Sequence, residues 1–343
     1  MHCRLTTIVL LFIFSFSAAL PAEEGDRVDI QLSYLKLRIP NDNPLTVAKA
    51  ELGKQLFFDP RLSRDNTISC ASCHDPAKGW SNGERYATGI GGQVGTRSVP
   101  SLVNAGFQQH QFWDGRAGSL EEQARQPIEN PIEMDTKLAA LTTKLNQIEG
   151  YRQQFQRAFK ADASPEHIMQ AIASFVRTIV SGEAPYDRYR AGDLAALSPA
   201  ARRGHDIFFF KANCRACHQG PNFTDDAFHN IGIGMESPPP DVGRAGVTKY
   251  EGDVGKFKTP TLRDIDRSAP YMHDGRFKTL EEVVDHYVDG AFLNDHSDEL
   301  MNVDELMNVF PMTDKEKADL IAFLKEGLSS YQYPEISTLN LPD

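Results

Sequence analysis

Hydrophobic residues recur at helical spacing in three stretches of the chain. Residues 47–57 and 200–210 are amphipathic, with apolar positions gathered on one side of a helix. A longer stretch, residues 164–181, carries apolar side chains from Ile168 to Ile179 along one face and predicts an interior helix. These patterns predict an all-α protein.

Two capping boxes mark further helix starts. Ser119 and Thr279 are each followed by a glutamate three residues later, which is the signature of a helix N-terminus. Loops rich in Gly and Pro run over residues 79–100 and 232–255. The expected architecture is therefore one of short helices joined by long loops.

The second half of the chain repeats motifs of the first half in the same order. Q-F-W-D-G-R from Gln111 returns as Y-M-H-D-G-R from Tyr271, an offset of 160 residues (271 minus 111). At the same offset, P-S-L from Pro100 returns as P-T-L from Pro260. This match predicts an internal duplication. Residues 136–190 have no counterpart in the second half and are expected to brace the two halves.

The motif C-x-x-C-H appears once in each half and is typical of c-type haem attachment, because two thiols bond to one porphyrin while the histidine reaches the iron. A four-cysteine zinc site is one alternative, but it leaves both histidines without a role. Two disulfides are another, but they need strained rings between cysteines three residues apart. The sequence therefore predicts two covalently bound haem c groups, attached through Cys70, Cys73, His74, Cys214, Cys217 and His218.

The N-terminus has the features of a secretory signal peptide over residues 1–22. Arg4 precedes an apolar run over residues 8–16, which is too short to span a bilayer, and small residues follow it. Removing this leader also removes Cys3, so all the remaining cysteines lie in the haem motifs. Covalent haem attachment in bacteria takes place outside the cytoplasmic membrane, so we predict a periplasmic protein.

Length and charge narrow the choice of partners. The chain has 343 residues and a net charge of −11, which argues against nucleic acid as a partner. Nothing after the leader resembles a transmembrane segment, so no membrane partner is expected. The mature length is sufficient for two domains with cores. Short helices around covalently bound haem are typical of cytochrome c-like domains, and we place two such domains at residues 23–195 and 196–343.

The duplication predicts unequal iron sites in the two halves. Tyr287 lies on the helix that Thr279 begins, and the equivalent position in the first half is Pro127 (287 minus 160). Proline cannot bind a metal, and it is expected to end the helix on which it lies. We therefore predict an open iron held by His74 alone and a closed iron held by His218 and a side chain near Tyr287.

Several motifs together resemble the bacterial dihaem cytochrome c peroxidase/MauG family. They are the two C-x-x-C-H motifs, F-W-D-G-R at residues 112–116, E-E-Q-A-R-Q-P-I-E-N-P-I-E-M at residues 121–134, and A-P-Y-M-H-D-G-R at residues 269–276. The likeness covers nearly the whole mature chain. It implies an oxidoreductase with two cytochrome c-like haem domains, an N-terminal peroxidatic one and a C-terminal electron-transfer one.

The resemblance is nearer to MauG at the second haem. Peroxidases of the family place methionine fourteen residues after the histidine of the H-D-G motif, whereas MauG places tyrosine. Counting from His273 gives Tyr287. Tyrosinate suits high-valent iron, whereas methionine raises the potential and favours the ferrous state. The alternatives for this ligand are His286 and Met301.

The resemblance is also nearer to MauG at the first haem. Peroxidases that need reductive activation carry a removable histidine in the loop after the first haem motif. The loop at residues 88–95 has no histidine, and Ile90 stands in its place. We therefore expect the peroxide site to be open without prior reduction.

The resemblance implies roles for four residues near the first haem. Gln123 and Glu133 match the distal glutamine and glutamate, and a carboxylate there can move a proton between the two peroxide oxygens. Pro127 matches a proline over the same iron, and Trp113 matches the tryptophan between the haems. Glu133 could instead be a solvated loop carboxylate, and Trp113 a core aromatic residue. Trp80 fits no motif position.

Family members also bind calcium between the haem domains, through an asparagine side chain and two backbone carbonyls. The carbonyl positions correspond to Ser268 and Pro270, whereas Ser98 stands at the asparagine position. A serine hydroxyl is the weaker ligand, although waters often complete such shells. The resemblance therefore predicts a calcium ion, with Ser98 as the departure from the family pattern.

MauG-like enzymes use hydrogen peroxide to form a bis-ferryl state and oxidise tryptophan residues of a partner protein, and we expect the same here. The alternative is a cytochrome c peroxidase that reduces hydrogen peroxide with electrons from a small cytochrome c or cupredoxin. A simple electron carrier with two closed irons is disfavoured by Pro127. Peroxidases of this family often pair, so the resemblance also allows a homodimer.

Overall fold

Helices form most of the architecture, and the all-α prediction is confirmed. The computed structural model describes residues 28, 30–236, 239–289, 310–330 and 339–343. No helix in these ranges is long and apolar enough to cross a bilayer. The helices are α1 (Val47–Phe58), α2 (Cys70–Cys73), α3 (Leu120–Glu129), α4 (Leu138–Gln147), α5 (Glu149–Phe159), α6 (Pro165–Val176), α7 (Pro185–Arg190), α8 (Pro199–Asp206), α9 (Ala245–Thr248), α10 (Leu280–Val288) and α11 (Asp314–Ala322).

Two small antiparallel hairpins accompany the helices. One pairs β1 (Gln31–Leu32) with β2 (Leu35–Lys36), and the other pairs β3 (Phe228–His229) with β4 (Phe257–Lys258). With two residues per strand, these hairpins fix loop positions and do not form a sheet core.

The predicted interior helix forms but ends early. Helix α6 begins as expected after its cap, Ser164, and stops at Val176 instead of residue 181. Ser181 is held outside the helix because the side chain of Asn104 bonds both its N–H, at 2.8 Å, and its carbonyl oxygen, at 3.0 Å. The other two predicted helices correspond to α1 and to α8, which continues as a π-helical turn (Ile207–Lys211).

Helices α3 and α10 begin at the predicted caps, but the prediction that Pro127 ends α3 is wrong. Ser119 and Thr279 each accept the backbone N–H of the glutamate three residues later. Helix α3 continues past Pro127 to Glu129, and the next N–H, that of Asn130, still reaches its partner four residues back at 2.9 Å. Pro127 has no backbone N–H to donate, but the hydrogen bond from Asn130 in the last turn of the helix still forms.

In each half, an early helix crosses a later one at a glycine. Gly53 of α1 lies so close to the backbone of α6 that an added Cβ would overlap the carbonyl oxygen of Ala171. Gly204 of α8 lies against Asp319 of α11 in the same way. Both glycines begin a G-x-x-[LI]-F-F motif, so the duplication extends to the helix packing. The prediction that residues 136–190 have no counterpart is therefore wrong for α6, because α11 packs on α8 as α6 packs on α1.

At each of these two helix crossings, a pair of aromatic rings packs together and belongs to a hydrophobic core. Phe57 meets Phe175 edge-on, with ring centroids 5.1 Å apart, and Phe208 meets Phe323 in the same way at 5.5 Å. The buried members of the first core fall within residues 52–179, and those of the second within residues 186–328. The predicted domain limits, 23–195 and 196–343, remain a prediction.

Gly53→Ala is expected to destabilise the protein by about 1–3 kcal/mol, the usual cost of forcing volume into a packed contact. Helix propensity alone would predict the opposite change in stability, because it favours alanine over glycine by about 1 kcal/mol. Denaturant unfolding followed by circular dichroism measures the change. Gly246→Ala is the control, because an added Cβ there meets only Val242, at 3.6 Å. Equal stability of the two variants would contradict this account.

Candidate functional site

One cavity of about 840 Å³ gathers the predicted site residues from both halves of the chain. Its wall includes the residues that the sequence favoured for haem attachment, iron ligation, peroxide chemistry, electron transfer and calcium binding, but not the alternative iron ligand His286. These residues are Cys70, Cys73, His74, Ser98, Trp113, Gln123, Pro127, Glu133, Cys214, Cys217, His218, Ser268, Pro270 and Tyr287. The fold therefore brings both haem motifs to a shared space.

His74 is oriented by a backbone hydrogen bond. Its Nδ1 lies 3.0 Å from the carbonyl oxygen of Trp80, so Nδ1 donates and Nε2 keeps its lone pair. Trp80 has a positive φ of 61° and is fully buried against Phe57 and Phe175. Burial lowers the pKa of His74 to about 4, so the ring is neutral near pH 7. This is the form of histidine that binds iron.

His218 has the same arrangement in the second half. Its Nδ1 lies 3.1 Å from the carbonyl oxygen of Phe223, which is fully buried and has a positive φ of 49°. Burial also lowers the pKa of His218. Sequence reasoning missed both Phe223 and the role of Trp80. The available signal was an aromatic residue shortly after each haem histidine, at separations of five and six residues.

The cysteines of the haem motifs are unpaired thiols, which contradicts the disulfide alternative. Within the described ranges, the one group of metal-binding side chains that converges is Cys217, Asp225 and His229, so a four-cysteine zinc site is not formed. Burial raises the pKa of Cys70 and of Cys214 to about 12. The thiols are therefore in the state from which thioethers to haem are made.

The wall of the cavity fits two c-type haems. Pairs of thiols stand beside neutral histidines, and large apolar side chains such as Phe208 and Leu262 surround them. His273 adds independent support, because it is only 4% exposed and its Nε2 has no hydrogen-bond partner among the residues that the structure describes. Buried polar atoms are normally paired, so this nitrogen is suited to a polar group bound in the cavity.

Helix α3 and the loop after it bring Gln123, Pro127 and Glu133 to the side of the first haem motif. Glu133 accepts a hydrogen bond from Nδ2 of Asn130 at 2.7 Å. Burial raises the pKa of Glu133, and the hydrogen bond from Asn130 opposes this shift. Glu133 is therefore a partly buried carboxyl group on the cavity wall, and its role in proton transfer remains a prediction.

The loop at residues 88–95 packs closely on the backbone of Glu133. The N–H of Ile90 donates to the carbonyl oxygen of Glu133 at 2.8 Å, and Ile90 is 1% exposed. An added Cβ at Gly89 would overlap the carbonyl oxygen of Ile132, so glycine is needed for this approach. A buried apolar side chain thus stands at the position that the sequence predicts as the counterpart of the removable histidine.

The candidate ligands of the second haem iron differ in whether they line the cavity. Tyr287 lines the cavity, whereas the neighbouring His286 is turned toward the carbonyl oxygen of Ile231, 3.2 Å from its Nε2. Burial raises the pKa of Tyr287. Met301 lies outside the described residues. Ligation by Tyr287 remains a prediction, but this side chain faces the same space as His218.

Trp113 is fixed at both ends. Its indole Nε1 donates to the carbonyl oxygen of Ser98 at 2.8 Å, and its own carbonyl oxygen accepts from the N–H of Lys258 at 2.8 Å. Ser98 in turn donates its N–H to His273 at 2.7 Å. Trp113 belongs to no hydrophobic core identified in the described residues. The ring therefore lies on the cavity wall in a defined orientation.

The predicted calcium ligands Ser98, Ser268 and Pro270 also line the cavity. Ser98 is buried, with 4% of its surface exposed, and its backbone links Trp113 to His273. Ser98 stands at the position where the resemblance predicts an asparagine. Calcium binding remains a prediction.

Comparisons with known proteins agree on one family. The model of the family described as di-haem cytochrome c peroxidase (CCP_MauG) matches residues 47–195. The methylamine utilization protein MauG of Methylorubrum extorquens is 42% identical over 290 residues, which cover 83% of this chain and 80% of that protein. Cytochrome c551 peroxidase of Pseudomonas aeruginosa is 35% identical over 282 residues, covering 78% and 81%.

A solved structure gives the same result at the level of the fold. The crystal structure of a MauG-like protein associated with microbial copper homeostasis aligns with a TM-score of 0.78 and 34% sequence identity. The alignment covers 86% of this chain and 93% of that protein. The similarity therefore extends well beyond the segment that the family model matches.

Proposed function

Because this chain belongs to the di-haem cytochrome c peroxidase/MauG family of peroxide-dependent oxidoreductases, we propose that it is a MauG-type enzyme. The enzyme uses hydrogen peroxide to oxidise tryptophan residues of a separate partner protein. The identity to MauG, at 42%, supports this choice within the family.

The pair formed by Pro127 and Tyr287 carries the proposal. These residues are equivalent in the duplication, and both line the cavity. Proline has no atom that can bind a metal, whereas a phenol oxygen is a hard donor that suits oxidised iron. With haem bound, the first half would thus offer no second protein ligand to its iron and leave room for peroxide, whereas Tyr287 would supply an oxygen ligand in the second half.

When bound, the two haems supply the reaction with peroxide and hold the oxidising equivalents. The chain controls the protons. An ionised Glu133 accepts a proton from the attacking peroxide and returns it to the departing oxygen, as a general base and then a general acid. Gln123, on the same wall, can donate a hydrogen bond to peroxide.

Trp113 provides the route for electrons between the two halves. Its indole N–H is bonded to a carbonyl oxygen, which stabilises positive charge on the ring but cannot remove the proton. The backbone contacts with Ser98 and Lys258 fix the ring in one position. Substrate tryptophans therefore lose electrons at a distance, without entering the cavity.

The test begins with ferric protein and hydrogen peroxide in the absence of any reductant. We expect a persistent change in the haem spectrum that decays when a periplasmic extract of the native host is added. Mass spectrometry should then find oxidised tryptophan in one extract protein, with both peroxide and this enzyme required. A need for prior reduction, with fast turnover of reduced cytochrome c, would refute the proposal.

Trp113→Phe is expected to separate the two stages of the reaction. The spectral change with peroxide should still occur, because Glu133 and the open face are untouched. Oxidation of the partner should slow markedly, because phenylalanine is much harder to oxidise and cannot relay an electron. Stopped-flow spectra and tryptophan oxidation are measured on the same samples. Trp80→Phe is the matched control, since the indole of Trp80 lies in the first core and only its backbone carbonyl contacts His74.

The second candidate is a peroxidase that draws electrons from a small cytochrome c or cupredoxin, and the similarity to cytochrome c551 peroxidase favours it. Tyr287 and the absence of histidine at residues 88–95 favour the MauG-type function instead.

The cellular setting completes the proposal. The protein is periplasmic, and its signal peptide, residues 1–22, lies outside the described residues. It carries two haem c groups and a calcium ion, and the partner is a protein with an oxidisable tryptophan. A homodimer is compatible with this arrangement.

A further inference from the structure

Lys258 is a buried cation on the cavity wall that has no ionic partner in the described part of the protein. It ends strand β4, is 7% exposed and lines the cavity. Its Nζ donates to Oε1 of Gln108 at 2.9 Å, and this acceptor is neutral. Across the described ranges, no carboxylate oxygen lies within 4.0 Å of this ammonium.

The acidic residues that act on Lys258 electrostatically do not pair with it. Asp225 is bonded to His229 at 2.8 Å. One oxygen of Asp226 accepts the backbone N–H of Gln109, and its other oxygen, Oδ1, is buried without a hydrogen-bond partner among the described residues, so it does not reach the ammonium of Lys258 either. Burial lowers the pKa of Lys258 to about 8, and the more distant Asp226 and Asp225 only partly oppose that shift. A buried charge that is not paired is costly, so this site needs an anion.

The other cations on the cavity wall have their charges matched. Within 4.0 Å, Arg85 is paired with Asp274, Arg97 with Asp114 and Asp241, and Arg116 with Asp114. Among these four cations, Lys258 is thus the one whose charge the described part of the protein leaves uncompensated.

We propose that Lys258 binds a haem propionate, its ammonium donating to a carboxylate oxygen of one of the two haems. A c-type haem uses its vinyl groups for the thioethers and its iron for the histidine, which leaves two carboxylates to be accommodated. An ammonium and a carboxylate form a strong, charge-assisted hydrogen bond. Each then removes the cost of burying the other.

The position of Lys258 links this propionate to the electron route. The backbone N–H of Lys258 holds the carbonyl of Trp113 at 2.8 Å, so one residue fixes both the tryptophan backbone and the haem edge. The inference rests on the two-haem assignment and does not depend on which substrate is oxidised.

Lys258→Met removes the charge and nearly keeps the side-chain length. We expect the reduction potential of one haem to fall, because losing a nearby positive charge favours the ferric state. We also expect a shift of a propionate bending band in the resonance Raman spectrum of the holoprotein. Lys258→Arg should restore most of both readouts. Lys256→Met is the control for net charge, since Lys256 lies near Asp253, at 3.6 Å, and does not line the cavity.

Unchanged potentials and bands in Lys258→Met would overturn the proposal. If that variant does not accumulate with two haems, Lys258→Gln is measured in the same way, and unchanged readouts there would also overturn it. A wild-type protein that fails to oxidise tryptophan would count against the proposed function, but it would leave these potentials and bands as they are.

Discussion

Replacing Tyr287 with phenylalanine is expected to convert the second haem from a six-coordinate, low-spin centre to a high-spin one. Electron paramagnetic resonance of the ferric protein should show the low-spin signal lost. Tryptophan oxidation should fall by more than about 100-fold, since even an outer-shell partner of a metal ligand is commonly worth 10–100-fold. The reason is that the closed iron loses the oxygen donor that stabilises its oxidised state.

Tyr287→Met tests the nature of the donor as well as its presence. Methionine should keep the iron closed but raise its potential, because a thioether favours the ferrous state. Spectroelectrochemistry measures this shift. We expect this variant to resemble a peroxidase, with better turnover of reduced cytochrome c and little oxidation of tryptophan.

His286→Gln is the control for the choice of ligand. Glutamine can still donate to the carbonyl oxygen of Ile231, which His286 contacts at 3.2 Å. The low-spin signal should therefore persist. Loss of that signal in His286→Gln, together with its survival in Tyr287→Phe, would show that the neighbouring histidine is the ligand.

Glu133→Gln is expected to slow the reaction with peroxide by about 10²–10⁴-fold, the usual contribution of a general acid–base residue. Glutamine keeps the shape and the contact with Asn130 but cannot accept a proton. Stopped-flow mixing of ferric protein with hydrogen peroxide measures the rate. Glu129→Gln is the matched control, because Glu129 is an exposed residue of α3 paired with Arg125 at 2.7 Å.

The pH dependence of the reaction with peroxide provides a second test of the role of Glu133. Burial raises the pKa of this carboxyl group above its usual value, and the reaction needs the ionised form. The rate should therefore rise with pH through this raised pKa and fall as the group becomes protonated at lower pH. Glu133→Gln should lose this rising limb. An identical pH profile in wild type and variant would assign the proton transfer to another group.

Local and covalent features were predictable from the sequence. The two C-x-x-C-H motifs specify their own chemistry, because thiols at that spacing react with a single porphyrin. The caps Ser119 and Thr279 act through backbone groups within one turn, so they fixed the starts of α3 and α10. The duplication also predicted that Pro127 and Tyr287 occupy equivalent places.

Helix ends were less predictable where distant residues intervene. Asn104 binds Ser181 and stops α6 early, although the apolar pattern continues to Ile179. Conversely, α3 continues past Pro127, where one backbone donor is missing, and Ala124 and Ile128 on either side of the proline are buried in the first core. In both cases, tertiary packing overrides the local signal.

The haem attachment motifs, the helical class and the contrast between Pro127 and Tyr287 could be read from the sequence alone, since these depend on residue type and spacing. Three features required the folded structure: the carbonyls of Trp80 and Phe223 orient the two histidines, Tyr287 lines the cavity whereas His286 does not, and Lys258 has no counter-charge among the described residues. Backbone carbonyls have no sequence signature, and a charge is balanced or unbalanced according to which residues the fold brings within hydrogen-bonding distance.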